Sequence, residues 1–119
     1  MIVKLYITQI VPNVPIYHVG IGFKNKNQEN RYDFHPKKFK LFEPVVTHKT
    51  KNIKLGLTLR NEFEINEFEK SLNKNYFLFF NDCRHYCQQM INFSGIPDIQ
   101  LTNPFYLNSL FQTVDHNIE

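Results

Sequence analysis

Apolar positions alternate along the first half of the chain and recur at helical spacing in the second. In "IVKLYIT" Val3, Leu5 and Ile7 fall on one side, which predicts a first strand. "VPNVP" at 11–15 then breaks regular structure. "IYHVGIGF" alternates again, with Tyr17, Val19, Ile21 and Phe23 on one face and His18, Gly20 and Gly22 on the other. The polar run "KNKNQE" reads as a loop, and "NRYDFHP" as the return strand ended by Pro36. Residues 37–52 are basic and proline-interrupted and read as a loop. "NIKLGLTL" alternates through Ile53, Leu55, Leu57 and Leu59 and predicts another strand.

From there the period changes. Asn61 and Glu64 have the spacing of a capping box, ahead of Ile65, Phe68 and Leu72 on one helical face. "NKN" closes that helix, and "YFLFF" at 76–80 reads as a short apolar strand or extended entry. Asn81 or Asp82 caps a second helix, whose inner face carries Cys83, Tyr86, Cys87, Met90 and Ile91. Gly95 and Pro97 stop it, and "NPFYLNSLFQTV" predicts a terminal helix with Pro104 in its first turn.

The hairpin has a register that can be tested on paper. Pairing Phe23 with Asn30 sets Ile21 against Tyr32 and Val19 against Phe34, so the apolar residues share a face. The same register puts Gly20 opposite Asp33 and His18 opposite His35. His18 then lies on a face kept bare by Gly20 and Gly22. The expected fold is α+β: a small antiparallel sheet packed against a cysteine-bearing helix.

At 119 residues the chain suits one domain over 1–119. Its 42% hydrophobic and 15% aromatic content supplies a core and excludes a disordered chain. A net charge of +3 is too mild for a dedicated nucleic-acid binder, so no nucleic-acid partner is expected. Lysines gather at 24–26, 37–40 and 49–54; they read as solvated loops or as a basic face for an acidic partner. The longest apolar runs fall far short of a membrane span. Two cysteines one helical turn apart do not form a disulfide framework. Free thiols and the lack of a leader pattern predict an intracellular protein, cytoplasmic or nuclear.

The two thiols are not equivalent. A cysteine attacks as thiolate, and the first turn of a helix offers unpaired N–H groups and the positive end of the macrodipole. Cys83 has that position and is the candidate nucleophile. Cys87 lies a turn deeper and reads as a core thiol. A base must come from elsewhere: His85 leaves the helix in another direction, and His48 and His116 read as exposed loop residues. His18 is the histidine free to approach from a facing strand. Cys83, His85 and Cys87 scatter around the helix, so neither a metal nor a cofactor is expected.

Together "YHVGIGF", "YDF", "LGLT" and "NDCRHYCQQMI" resemble the circularly permuted papain-like cysteine hydrolases, in which the histidine strand precedes the cysteine helix. Two branches are similar: the desumoylating isopeptidase (PPPDE) family and the lecithin:retinol acyltransferase-like family. The second has an Asn-Cys-x-His-Phe motif, matched here by Cys83, His85 and Tyr86. The resemblance covers about residues 16–97. It implies an NlpC-like permuted papain-like architecture, with Cys83 as nucleophile, His18 as base and His35 as the orienting third residue; Asp33 is the fallback. His35 would accept Nδ1–H of His18 and leave Nε2 for Cys83. The chain departs from the pattern at Asp82, which separates Asn81 from Cys83. The implied activity is a peptidase or isopeptidase working through a thioester, with a protein or ubiquitin-like conjugate as substrate. The alternatives are a lipid acyltransferase or phospholipase of the same fold, or a non-catalytic interaction module.

Overall fold

The computed structural model describes residues 1–11, 14–34 and 50–113. Among these residues four strands form one antiparallel sheet: β1 (Ile2–Gln9), β2 (Tyr17–Asn25), β3 (Gln28–Asp33) and β4 (Thr50–Leu57), in the order β3-β2-β1-β4. Three helices follow: α1 (Glu62–Ser71), α2 (Cys83–Phe93) and α3 (Pro104–Thr113).

The hairpin has the register expected from its alternation. Phe23 pairs with Asn30, Ile21 with Tyr32 and Gly20 with Asp33. The connection is tighter than the expected loop, because β2 continues to Asn25 and only Lys26 and Asn27 turn the chain. Lys26 adopts a left-handed backbone (φ 54), which matches the strand twist in a two-residue hairpin. The ladder ends at Gly20–Asp33; Phe34 follows it and His35 lies outside the described residues.

One sheet face carries the core. Val3, Leu5 and Ile7 of β1 and Val19, Ile21 and Phe23 of β2 are all buried, together with Ile65, Tyr86, Cys87, Met90 and Ile91 from the helices. Helix α2 lies against β2, where the Cys87 thiol donates to the Val19 carbonyl at 3.5 Å. Helix α1 packs on α2 through stacked Phe68 and Phe93 rings (4.1 Å) and a Tyr86 hydroxyl bond to Glu69 at 2.7 Å. Helix α3 closes the far end, with Phe111 beside Tyr17 (4.7 Å).

The helix ends follow their sequence signals. Asn61 and Glu64 complete the capping box of α1. Gly95 (φ 82) ends α2 in a Schellman arrangement, with Ile96 N–H bonded to Ile91 O and Gly95 N–H to Asn92 O. Asn103 caps α3 through bonds from the N–H groups of Phe105 and Tyr106.

Three expectations are corrected. β4 begins at Thr50, inside the stretch read as loop, and ends at Leu57. Its Lys51 is buried, with Nζ bonded to Phe111 O at 2.9 Å, and is no solvated loop lysine. A register shift opposite Val3 and Lys4 interrupts the alternation, so Ile53 and Leu55 pack on the core while Leu57 and Leu59 are exposed. Finally, "YFLFF" is no strand. Residues 78–80 form a turn that Phe77 and Asn81 close on each other, and none of the described strands pairs with this segment.

Candidate active site

Helix α2 starts with Cys83, and its N-cap is Asp82 rather than Asn81. The Asp82 carboxylate is fully engaged. Oδ1 accepts from Arg84 N–H (3.0 Å) and lies 3.0 Å from His85 Nδ1, while Oδ2 accepts from Phe79 N–H (3.0 Å) and Arg84 Nη2 (2.8 Å). Burial alone would raise this carboxyl, but Arg84, His85 and the backbone donor together hold it below its ordinary range. The acid that precedes Cys83 is thus spent on capping and on Arg84. His85 turns back to this cap, as its direction on the helix predicts. Asn81 staples the preceding loop through bonds to the carbonyls of Asn73 and Asn75.

His18 comes to Cys83 from β2. Its imidazole is hydrogen-bonded to Asp33, and the Cys83 side chain is near enough to favour the charged ring. The contact to Asp33 runs from Nε2 to Oδ1 at 2.9 Å. A carboxylate only accepts, so Nε2 carries hydrogen and Nδ1 is the nitrogen left for Cys83. This reverses the expected use of the two ring nitrogens. The reason is reach: Asp33 pairs with Gly20, one ladder step along from His18, so the outermost ring nitrogen meets it. Gly20 makes the approach possible, since a Cβ there would overlap Asp33 Oδ1.

Burial disfavours the charged imidazole, yet Asp33 and Cys83 together outweigh it and raise the His18 pKa to about 9. Asp33 shifts the other way. Burial would raise it, but His18 and Arg31 hold it below its ordinary value. Arg31 Nε lies 3.0 Å from Asp33 Oδ2, and its guanidinium stacks over the Tyr6 ring at 4.3 Å. A line of groups therefore runs Cys83, His18, Asp33, Arg31.

Cys87 is the core thiol that its position predicts. Burial, reinforced by the charges of Cys83 and Asp33, pushes it well above the ordinary thiol value. His35, His48 and His116 lie outside the described residues. Among the described residues, no three His, Cys, Asp or Glu side chains are grouped to hold a metal ion.

Sequence reasoning missed Tyr76. Its phenol lies beside the Cys83 backbone N–H, the donor expected to face an oxyanion. Burial, then the nearby Cys83 and Asp82, push the phenol above its ordinary value. The Tyr76 ring packs on Phe34 (5.1 Å), which in turn stacks on Tyr86 (5.3 Å). No spacing rule points to this residue, since a loop turn and not a helix brings it back to Cys83. The thiol itself is only 3% exposed. A groove of about 590 Å³ between β3 and α1, lined by Arg31, Tyr32 and Phe63 among others, does not include it.

No protein-family model, curated protein or solved structure matches the chain.

Proposed function

We propose that this protein is a cysteine-dependent hydrolase of permuted papain-like architecture, acting as a peptidase or isopeptidase. The observation that carries the reading is the line Cys83, His18, Asp33 at the start of a helix packed on an antiparallel sheet. The histidine strand precedes the cysteine helix, in the order the resemblance requires.

The chemistry runs as follows. His18 Nδ1 holds the proton that the thiol gives up, and its raised proton affinity keeps it there as an imidazolium beside the sulfur. The Cys83 sulfur attacks the substrate carbonyl carbon, and the helix N-terminus favours the negative charge that develops. The carbonyl oxygen meets the Cys83 N–H, where the Tyr76 hydroxyl beside it can also donate. His18 returns the proton to the leaving amine, and a thioester remains. Water, deprotonated by His18, then releases the acid and restores the thiol. Asp33 stays ionised throughout and holds the ring in the tautomer that leaves Nδ1 for sulfur.

A second reading is favoured by the near-complete burial of Cys83: an interaction module that keeps the fold without turnover. A panel of peptide, ubiquitin-like and acyl-thioester activity probes separates the two. Covalent labelling of the wild type that disappears in Cys83→Ala and drops sharply in His18→Ala supports the hydrolase. Absence of labelling by every probe, with both variants folded, leaves the interaction module.

A further inference from the structure

The turn that leads into Cys83 has an unusual surface. Phe77, Leu78, Phe79 and Phe80 are consecutive, and they are 61%, 56%, 69% and 83% exposed. Scattered exposed apolar residues are ordinary, but four in a row at a loop tip are not. Backbone bonds within the turn hold them outward: Phe77 N–H to Asn81 O (3.0 Å), Phe80 N–H to Phe77 O (3.0 Å) and Asn81 N–H to Phe77 O (2.7 Å). Phe79 N–H is bonded to Asp82 Oδ2, and Phe79 is held in the left-handed region (φ 70), which a non-glycine residue adopts at a cost.

We propose that residues 77–80 form a membrane-surface docking tip that enters the acyl boundary of a lipid bilayer. Three features select this occupant over a protein. The tip is a tight turn of consecutive exposed apolar side chains. The N–H groups of Phe77, Phe79, Phe80 and Asn81 are already bonded internally, which lowers the cost of entering an apolar medium and leaves those donors unavailable to a partner strand. The flanking charges are matched in pairs: Lys74 with Glu69 (3.2 Å), Arg84 with Asp82 (2.8 Å) and Lys70 with Glu67 (3.5 Å). A surface recognised by apolar insertion rather than by charge fits that balance. Docking does not depend on turnover at Cys83, so it stands or falls separately from the hydrolase reading.

The test is co-sedimentation of the full chain with phosphatidylcholine vesicles, alone and with phosphatidylserine added, at low and high salt. Wild type should sediment with both vesicle types, with little loss at high salt. Phe79→Ser/Phe80→Ser should bind at least about 10²-fold more weakly, and Phe80→Ser alone about 10-fold, as expected for withdrawn phenyl groups. Leu59→Ser, at a fully exposed leucine outside the tip, and Cys83→Ala should bind as wild type. Thermal unfolding checks that each variant is folded, and Phe80→Ser serves if the double variant is not. No vesicle binding, binding undiminished in the folded tip variants, or binding only to anionic vesicles at low salt overturns the proposal. Lipid-free self-association that the tip substitutions abolish also overturns it, since a second copy would then be the occupant.

Discussion

Asp33 meets His18 Nε2 at 2.9 Å by lying across Gly20, a position where any side chain would collide with the carboxylate. The glycine is therefore part of the site although it contributes no functional group. Gly20→Ala should leave the fold intact, because the atom it strikes is the free end of a side chain that can rotate away. It should also detach Asp33 from His18. The expected outcome is a loss of probe labelling comparable to that of Asp33→Asn, with a small change in Tm. Labelling of Gly20→Ala at the wild-type rate would show that the His18–Asp33 bond does not matter to Cys83.

The pair also makes stability depend on pH, with a definite sign. His18 is raised from 6.5 to about 9 in the folded protein, so its contribution is complete below about pH 6.5 and is lost as pH rises through 9. Asp33 is lowered, so its contribution is present above its ordinary value near 3.8 and is lost as pH falls through the folded value. Both act fully between roughly pH 4 and 6.5, and the His18 share is on the order of a few kcal/mol at most. Thermal unfolding from pH 6 to 10 should show Tm falling on the alkaline side. Asp33→Asn should flatten that fall, and an unchanged slope would contradict the assignment.

The two thiols should separate cleanly in an alkylation experiment. Cys87 is fully buried, its thiol is pushed well up, and it donates to the Val19 carbonyl. Cys83 is at the helix start with His18 against it. Mass mapping after iodoacetamide at neutral pH should find Cys83 modified at least about 10-fold faster, since burial and a high thiol pKa both slow attack. His18→Ala should slow Cys83 more than His85→Ala, because His85 is committed to the Asp82 cap. Equal slow labelling of both cysteines would remove Cys83 as a reactive group.

Much of this arrangement was legible in the sequence where one physical rule dominates. Alternation fixed the hairpin register because a one-residue slip would turn Val19, Ile21 and Phe23 out of the core. Asn61 and Glu64 marked the start of α1 because their reciprocal bonds require that spacing. Cys87 could be read as a core thiol from its depth in the helix. The ring nitrogen that meets Asp33 could not be read, since it depends on how far two side chains extend diagonally across a ladder. "YFLFF" misled because its composition suits a strand, while a strand also needs a neighbour, and none of the described strands takes it. The exposure of Leu57 and Leu59 was hidden for a related reason: one register shift inverts every later position.

Phe79 offers a test of the stored strain at the turn. Its left-handed backbone suits glycine, so Phe79→Gly should raise Tm slightly, by an amount equivalent to at most about 1 kcal/mol. The gain should appear without any change in the iodoacetamide reactivity of Cys83. A lower Tm would mean that the Phe79 ring, which lies 5.9 Å from the Arg84 guanidinium, contributes more than the strain costs.

Tyr76 gives the sharpest distinction between a working site and a merely similar one. Its phenol lies beside the Cys83 N–H and its ring packs on Phe34, so the hydroxyl is near the place where a carbonyl oxygen would gain charge in the proposed reaction. Tyr76→Phe keeps the ring and removes only the hydroxyl. Alkylation by iodoacetamide builds no oxyanion, so its rate at Cys83 should change little. Acyl transfer from a thioester or peptide probe does build one, and its rate should fall by about 10²-fold or more, in line with loss of one oxyanion donor. Equal effects on the two reactions would assign Tyr76 to packing. A faster acyl transfer in Tyr76→Phe would mean that the hydroxyl blocks the Cys83 N–H and contributes nothing to the transition state.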